Sequence, residues 1–355
     1  MTKIKIWTPR LSEVNGQNIV TSVAVETFGD DAEVTEFRSG LVRSLESGIL
    51  SVWFFFNGVF GVRDEKIYIV VSRSGFGFLR DIPCLMLGLL GRRVFCHSHG
   101  SDIVSLFNRR ILGRLARLLY RNVCLIVPSA HVVDDLKHHG LQNIRVCENF
   151  YPTSNFDRFS FLENTNEGNR SAYKILWNSN ILASKGFFEV CDAVVALRKR
   201  NYPVMMTVLG EATSDAEMSK YQVLQRLKRY SQADCIKYVG SVTNVEVEKE
   251  IIASDLVALP STYASECQPL AIISAMVLNK MVMVTPTPAL KETTRGYEKV
   301  AFVRRDPVSI GDKIESLLAE YRSTKIDKIT RNKRAAKRFS EKKFKSNIRE
   351  IIYEN

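Results

Sequence analysis

The sequence predicts an α/β protein made of two facing Rossmann-like domains, each built on a parallel sheet. A chain of 355 residues suits two domains of roughly 150 residues each. Strand-like apolar runs alternate with amphipathic stretches in two series, which is the pattern of parallel strands joined by crossover helices. A polar stretch without periodicity separates the two series.

The predicted strands fall on both sides of that polar stretch. The first series comprises residues 4–8, 67–72, 93–97 and 123–127, and the second comprises 174–178, 204–209, 236–239, 256–259 and 281–285. Residues 150–170 between them are rich in Asn, Ser, Pro, Thr and Glu. We therefore place an N-terminal domain at 1–150 and a C-terminal domain at 151–335.

Composition and charge exclude several function classes. With 45% hydrophobic and 25% charged residues, the chain matches globular usage and is neither disordered nor fibrous. The net charge of +12 is local, because residues 328–349 hold ten basic residues against Glu341 and residues 109–121 hold five arginines and no acid. A nucleic-acid reader would spread such charge along a recognition face, so no nucleic-acid partner is expected.

Cysteine usage and the apolar runs indicate a cytoplasmic protein. The seven cysteines are odd in number and never form Cys-x-x-Cys, so neither disulfides nor structural zinc are expected. The chain opens without the long apolar run of a signal peptide. The longest uncharged stretch, 47–62, contains Asn57, Gly58 and Gly61 and predicts a buried or interfacial helix rather than a membrane span.

The expected ligand is a nucleotide. Strand ends and helix N-termini of parallel-sheet domains bind phosphates favourably. However, Gly75-Phe76-Gly77 lacks the third glycine of the dinucleotide fingerprint, and no Gly-x4-Gly-Lys loop is present. These absences argue against dehydrogenase and P-loop functions.

The segment 259–276 carries the first candidate site residue. A buried strand ends at Pro260, a polar loop presents Glu266, and Pro269 is expected in the first turn of an apolar helix. The Glu266 carboxylate could accept hydrogen bonds from sugar hydroxyls while the amides after it face an anion. The alternative is an acidic residue that interacts with the helix dipole.

The segment 175–186 leads into a helix whose apolar stripe comprises Phe187, Val190, Cys191, Val194 and Leu197. Ser184 is expected to cap this helix. Lys185 then lies beside a helix N-terminus, where its ammonium and the backbone amides could stabilise a departing diphosphate. The alternative is a solvated lysine at the start of a surface helix.

A third segment runs from a strand into His99-Gly100-Ser101-Asp102. His97 and His99 project to the same side of the strand, which raises the question of a metal site. No third ligand is evident nearby in the sequence.

Taken together, these segments resemble the GT-B glycosyltransferases of family four over nearly the whole chain. These enzymes use nucleotide sugars and retain anomeric configuration. Glu266 fits the first position of the family's Glu-x7-Glu motif, whereas Ser274 occupies the second, which in the family binds ribose. Lys185-Gly186 matches the Lys-Gly element, and Ser179 with Asn180 replaces an arginine that contacts the phosphates in many relatives.

The resemblance implies a role for each matching residue. Glu266, His99 and Lys185 are the implied catalytic residues, and no metal cofactor is implied. A C-terminal helix, 336–355, is implied to cross back to the N-terminal domain. The implied donor-binding residues are Asn15, Gly16, Ser179, Gly210, Glu211, Ser241, Val242, Gln268, Pro269, Leu270 and Ser274.

The arginine-rich segment 109–121 has two possible interpretations. Apolar residues 111, 112, 115, 118 and 119 form one helical stripe, and Arg110, Arg114, Arg117 and Arg121 form the opposite one. Such a helix can lie on anionic lipid. Equally, it can pack on the core with a solvated basic face.

The predicted function is therefore retaining transfer of a sugar from a nucleotide-sugar donor to a saccharide acceptor. The resemblance and the basic helix favour a lipid-linked acceptor, in bacterial surface polysaccharide assembly such as O-antigen, capsule or exopolysaccharide. The predicted location is cytoplasmic, peripheral on the inner face of the membrane. The alternative is a catalytically weak or inactive nucleotide- or saccharide-binding protein of the same fold, suggested by Ser274 and by the arginine that Ser179 and Asn180 replace.

Overall fold

The computed structural model describes residues 3–12, 16–38, 44–151, 172–323 and 331–354. The chain divides into two compact units, the first comprising Met1–Phe150 with Glu341–Asn355 and the second comprising Tyr151–Ser340. Each unit is built on a six-stranded sheet, and neighbouring strands are parallel throughout. The predicted α/β fold class is confirmed.

The first unit has the strand order β2-β1-β3-β4-β5-β6. Its strands are β1 (Ile4–Pro9), β2 (Ala32–Phe37), β3 (Lys66–Val70), β4 (Arg93–His97), β5 (Cys124–Val127) and β6 (Ile144–Val146). Its described helices are α1 (Gly16–Phe28), α2 (Ser44–Phe60), α3 (Gly75–Leu89), α4 (Ile103–Phe107), α5 (Leu112–Tyr120), α6 (Val133–His138) and the C-terminal α14 (Glu341–Tyr353).

The second unit has the strand order β12-β11-β10-β7-β8-β9. Its strands are β7 (Tyr173–Asn178), β8 (Val204–Leu209), β9 (Ile236–Gly240), β10 (Leu256–Leu259), β11 (Met281–Val284) and β12 (Val300–Phe302). Its described helices are α7 (Phe187–Lys199), α8 (Lys220–Tyr230), α9 (Asn244–Ala253), α10 (Leu270–Val277), α11 (Pro288–Thr293), α12 (Pro307–Ser323) and α13 (Lys333–Arg338).

All nine predicted strands are present, and the sequence missed β2, β6 and β12. Each missed strand forms an edge of its sheet. An edge strand needs no apolar run, because one side of it faces solvent. In β2, Glu33 and Glu36 interrupt the apolar pattern, and β6 and β12 have three residues each.

The first core is centred on Trp7. Its ring packs on Phe37 and Phe54, and its Nε1 donates to Asp81 Oδ1 at 3.1 Å. The Ser72 amide donates to the other Asp81 oxygen at 2.8 Å. Burial raises the pKa of Asp81 against the opposing effects of Arg80 and these hydrogen bonds. Asp81 on α3 therefore anchors the loop that follows β3.

The second core confirms the predicted helix stripe. Every residue of that stripe on α7 is buried. Phe187 also packs edge-on against Trp177 of β7. This contact fixes the junction between β7 and α7, where Lys185 lies.

The C-terminal helix α14 belongs to the first unit, as expected for a helix that crosses back. Its residues Phe344, Ile348 and Ile352 are buried. Beside this buried stripe, Arg349 donates to the carbonyl of Thr27 and Lys345 pairs with Glu26, and both partners are on α1. Part of the basic surplus of the tail therefore attaches α14 to α1.

All seven cysteines are buried, and none forms a disulfide. Within the described ranges, no helix combines the length and the apolar character needed to span a bilayer.

Two glycines of the second sheet provide a stability test. Gly210 has φ +118°, and an added Cβ would lie 2.2 Å from the Ser179 carbonyl oxygen, whereas at Gly240 (φ +86°) the nearest atom would be 3.8 Å away. We expect Gly210→Ala to lower the free energy of unfolding by about 3 kcal/mol and the matched Gly240→Ala by about 1 kcal/mol. Calorimetric unfolding of both full-length variants measures the difference, and equal losses would contradict the steric account.

Candidate functional site

The candidate site of the second unit lies where the order of its strands reverses. β7 and β10 are neighbours in the sheet, with Leu256 opposite Ile175, although two strands separate them along the chain. Their following connections leave in opposite directions, which opens a crevice beyond the carboxyl ends of both strands. Two loops line this crevice: the β7 loop, 179–186, and the β10 loop, 260–269.

The two loops are bonded directly to each other. The β7 loop contains a 3₁₀ turn, Ala183–Lys185, and reverses at Gly186, whose φ is +81°. A Cβ at Gly186 would lie 2.6 Å from the Pro260 carbonyl oxygen, so this approach requires glycine. The amide of Thr262 donates to the Ser184 carbonyl at 2.9 Å. This backbone contact sets the distance between side chains of the two loops.

Four side chains from these loops meet in what we term the Lys185 cluster: Lys185, Ser179, Glu266 and Ser261. Lys185 Nζ donates to Ser179 Oγ at 2.9 Å and lies 3.3 Å from Glu266 Oε2. Ser261 Oγ donates to the same Glu266 oxygen at 3.0 Å. The Lys185 and Glu266 side chains are only 13% and 10% exposed. A surface lysine would be far more exposed, so the solvated alternative for Lys185 is wrong.

Ser261 was missed by the sequence analysis. Serine is common in the loop after a strand, and only the folded structure shows that Ser261 lies next to Glu266. Its Oγ also accepts from the Tyr263 amide at 3.2 Å. Ser261 therefore fixes the Glu266 carboxylate relative to the backbone of the β10 loop.

Helix α10 directs its N-terminus toward the end of the β10 loop. The helix begins at Leu270, and Pro269 is the residue before it, so the prediction of Pro269 inside the first turn is wrong by one position. The amides of Ile272 and Ile273 both donate to the Pro269 carbonyl. The amides of Leu270 and Ala271 precede the first intrahelical bonds, as at any helix start, and suit an anion. Gln268 beside them is buried.

The expectation that Ser184 caps α7 is wrong. Gly186 occupies the cap position, and the Ser184 hydroxyl donates to Asp215 Oδ2 at 2.6 Å. Burial acts to raise the pKa of Asp215, but hydrogen bonds from Ser184, Met218 and Glu217 outweigh it and lower that pKa. Asp215 is a second residue that the sequence analysis missed. Its bond to Ser184 holds the β7 loop in place.

Predicted donor-binding residues also gather at the ends of β8 and β9. The Ile181 amide donates to the Glu211 carbonyl at 2.8 Å, and Ser241 Oγ donates to Glu211 Oε1 at 3.1 Å. Gly210 contacts the backbone of Ser179. Val242 packs partly buried against the core. These residues continue the crevice from the Lys185 cluster across the sheet.

Ser274 lies on α10 and is half-buried. It is separated from Glu266 by the loop end and the first turn of the helix. Its hydroxyl carries no charge, so this position offers a ribose at most a neutral hydrogen bond.

The His99 region belongs to the first unit and is described by itself. His99 follows β4, and its Nε2 lies 3.1 Å from Thr21 Oγ1 on α1. Its ring packs against His97, with centroids 4.2 Å apart. Burial lowers the pKa of His97 to about 3, and burial together with His97 and Arg73 lowers the pKa of His99 well below its ordinary value. Both imidazoles are therefore neutral at physiological pH.

The His99-Gly100-Ser101-Asp102 turn is held by residues outside the motif. Arg73 pairs with Asp102 at 3.0 Å. His131 Nε2 lies 3.0 Å from Ser101 Oγ, and its Nδ1 lies 2.8 Å from Ser129 Oγ. His131 is a third residue that the sequence analysis missed. Gly16 begins α1 and is exposed, and Asn15 lies outside the described residues.

No cluster of three or more His, Cys, Asp or Glu residues suited to a metal ion occurs in the part of the chain that the structure describes.

The predicted arginine helix is present as α5, with Arg110 just before it and Arg121 just after it. Arg110, Arg114 and Arg121 are exposed, whereas Arg117 donates to the Phe107 carbonyl at 2.7 Å. The apolar stripe is divided, because Leu119 is buried while Ile111 and Leu118 are exposed. The helix therefore packs on the core and also presents apolar side chains next to its arginines.

Part of the second unit is similar to a family of sugar-transferring enzymes. Residues 172–320 match the family described as glycosyl transferases group 1, a stretch that contains the whole second sheet and the Lys185 cluster. The second unit is therefore similar to glycosyltransferases over this stretch, and the predicted enzyme class is confirmed. No curated protein matches the chain in sequence.

Solved structures show the fold of the whole chain. HepE from Anabaena in complex with UDP-glucose superposes with a TM-score of 0.71 at 15% identity, covering 99% of this chain and 100% of that one. A glycosyltransferase from Rickettsia africae ESF-5 gives 0.65 at 14% identity, covering 100% of both chains. Sucrose-phosphate synthase from Thermosynechococcus elongatus gives 0.64 at 15% identity, covering 99% and 95%. The predicted GT-B fold is confirmed.

The buried His97 makes the stability of the protein depend on pH. Its pKa is about 3 when folded and about 6.5 when unfolded, so the unfolded chain binds the proton more readily. The resulting stability is fully present above pH 6.5 and is lost as the pH falls toward 3. We expect about 2 kcal/mol of loss between pH 7 and pH 5 from His97.

The measurement is the unfolding free energy of the wild type and of His97→Gln at pH 7 and pH 5. Glutamine can still bond the Tyr68 hydroxyl, which lies 2.5 Å from His97 Nδ1, but it does not titrate. The variant should lose about 2 kcal/mol less than the wild type over this interval. An identical pH dependence in both proteins would exclude His97 as the titrating group.

Proposed function

We propose that this chain transfers a sugar from a nucleotide-sugar donor to a saccharide acceptor with retention of anomeric configuration. The observation that carries the proposal is the Lys185 cluster at the strand-order reversal of the second unit. It combines one shielded ammonium, one carboxylate and two hydroxyls. In this proposal the site needs no metal ion.

Lys185 is placed to stabilise the leaving diphosphate. Breaking the sugar–phosphate bond develops negative charge on the leaving oxygen, and a fixed cation stabilises it most where water is excluded. Lys185 is 13% exposed and is held by Ser179. The first amides of α10 add partial positive charge at the other side of the crevice. Lys185 and these amides together can stabilise the phosphates that an arginine contacts in many relatives, where this chain has Ser179 and Asn180.

Glu266 is placed to orient the sugar of the donor. The Glu266 carboxylate can accept hydrogen bonds from sugar hydroxyls, and Ser261 keeps it oriented. The Lys185 cluster contains a single carboxylate, whereas double displacement in glycosidases uses two at close range. We therefore assign proton removal from the acceptor hydroxyl to the leaving phosphate, on the face that the diphosphate vacates.

We propose a UDP-hexose as the donor and a lipid-linked saccharide as the acceptor. The HepE structures contain UDP-glucose, or UDP and glucose, so a UDP-hexose is the first donor to test. His99, which the resemblance assigns to the donor sugar, is neutral and can donate or accept one hydrogen bond. We propose a lipid-linked saccharide acceptor and a role in bacterial surface polysaccharide assembly, supported by the resemblance and by the exposed arginines of α5.

A second candidate function has one specific observation in its favour. Ser274 replaces a carboxylate that would hold ribose, so the chain could bind a nucleotide or saccharide and turn it over weakly or not at all. Titration calorimetry with UDP-, GDP- and ADP-sugars, followed by transfer assays with membrane extract, separates the two candidates. Binding without turnover favours the second, and turnover favours the first.

Replacing Glu266 tests the role of the carboxylate. We expect Glu266→Ala to reduce the rate of sugar transfer by about 100-fold or more, because the contact to the sugar and the partner of Lys185 are both lost. Glu315→Ala is the matched control, since Glu315 pairs with Arg200 at the surface of the same unit. Its transfer rate should equal that of the wild type. Undiminished transfer by Glu266→Ala would refute the proposed site.

Restoring the carboxylate at position 274 tests the donor-binding half of the proposal. We expect Ser274→Glu to tighten nucleotide-sugar binding by about tenfold, because a charged acceptor would replace a neutral one at the ribose. Ser254→Glu is unsuitable as a control because Ser254 is buried, so exposed Ser231 at the end of α8 serves instead. If Ser274→Glu and Ser231→Glu bind donors equally well, Ser274 does not face the ribose.

A further inference from the structure

Helix α2 has its large apolar side chains on the outside. Its exposed stripe comprises Leu45, Ile49, Val52, Trp53, Phe56 and Phe60. At 100° per residue these six positions fall within an arc of about 100°. Leu45 and Phe60, at the two ends, are 80% and 83% exposed. Soluble helices normally turn such a stripe toward the core.

The opposite side of α2 is buried and carries Phe54 together with small residues. Ser47 and Ser51 are buried, with hydroxyls bonded to the carbonyls of Arg38 and Gly48. A Cβ on Gly58 would lie 2.7 Å from a methyl group of Leu87 on α3. Phe54 packs in the core against Trp7, and the small residues bring α2 close to α3, while the six side chains of the exposed stripe face outward. The outward orientation of those side chains therefore follows from the packing of the helix.

The neighbouring helix α3 extends the apolar surface. Its exposed residues are Phe76, Leu79, Met86 and Leu89, with Leu90 directly after the helix. Phe76 at its first turn is 88% exposed. Isolated exposed apolar residues are ordinary, but two packed helices that both expose long stripes mark an interaction site.

The charge around this surface is positive. Residues 44–121 contain eleven basic and five acidic residues. Of the acidic residues, Glu65 and Asp81 are buried and Asp102 pairs with Arg73, which leaves Glu46 and Asp64 exposed against the exposed Arg63, Arg93, Arg109, Arg110, Arg114 and Arg121. At one end, Arg63 is exposed beside the exposed Val62. At the other, the Arg109 guanidinium lies against Gly75, next to Phe76.

We infer that the exposed faces of α2 and α3 are a docking surface for an anionic lipid bilayer, into whose interface Trp53, Phe56, Phe60 and Phe76 insert. Aromatic residues suit the boundary between headgroups and acyl chains, and flanking arginines suit acidic headgroups. An apolar protein partner would not require the basic surplus. The sequence pointed to the arginines of α5, whereas the structure assigns the apolar contact to α2 and α3. This inference does not depend on the donor chemistry.

Intrinsic fluorescence reports on this surface directly. The chain has three tryptophans, and Trp7 and Trp177 are fully buried whereas Trp53 is half exposed. A shift of the emission maximum to shorter wavelength on adding vesicles therefore reports Trp53. We expect this shift with vesicles of phosphatidylcholine and phosphatidylglycerol and a much smaller one with phosphatidylcholine alone.

Vesicle flotation of full-length variants tests the surface as a whole. Val52→Glu with Phe60→Glu keeps Trp53 as the probe and places two charges on the stripe. Tyr221→Glu with Leu224→Glu on α8 is the matched control, because both residues are exposed in the second unit. The stripe variant should bind anionic vesicles about tenfold more weakly than the wild type and the control variant. Unchanged thermal unfolding midpoints show that each variant is folded.

Three outcomes overturn the inference. The first is wild-type protein that stays unbound with anionic vesicles. The second is a stripe variant that floats as the wild type does. The third is a wild-type dimer in sedimentation velocity that the stripe variant converts to monomers, without vesicle binding by either. That result would assign the surface to a second copy of the chain.

Discussion

The adjacency of β7 and β10 is the constraint on which the candidate site depends. Because the two strands are neighbours while their connections diverge, the β7 and β10 loops meet beyond the carboxyl edge of the sheet. Gly186 permits the contact with Pro260, and the Thr262–Ser184 backbone bond fixes it. Lys185 and Glu266 then lie within ion-pair distance. The pair is shielded by this loop geometry, and shielding is what strengthens its field on a developing charge.

The sequence was sufficient for the repetitive parts of the fold and for the residues with distinctive chemistry. Strands with buried apolar runs were predicted, and so were Glu266, Lys185 and the stripe of α7. Edge strands such as β2 escaped because their charged residues break the pattern. Ser261, Asp215 and His131 escaped because their roles exist only after folding, when a common residue type meets a particular neighbour. Ser184 is an error of the opposite kind: the sequence predicted that it caps α7, but in the folded chain its hydroxyl bonds Asp215 instead.

Helix α2 shows why hydrophobicity alone did not determine burial. The uncharged stretch 47–62 predicted either a buried or an interfacial helix, and only the packing distinguishes them. Phe54 fills the core on the inner side of α2, and the small residues Ser47, Ser51 and Gly58 allow close packing beside it, so the large side chains of the other face stay exposed. The proposed membrane-docking surface would suit an acceptor that is carried by lipid.

The most direct test of the Lys185 cluster is the difference in affinity between UDP and UMP, measured by titration calorimetry on the wild type and on Lys185→Ala. In the proposed site, the Lys185 ammonium lies against the β-phosphate, which UDP carries and UMP lacks. UDP should therefore bind about tenfold or more tightly than UMP to the wild type, and the variant should lose most of that preference. Equal UDP preference in both proteins, or no preference in the wild type, would contradict the assignment of this site to the diphosphate.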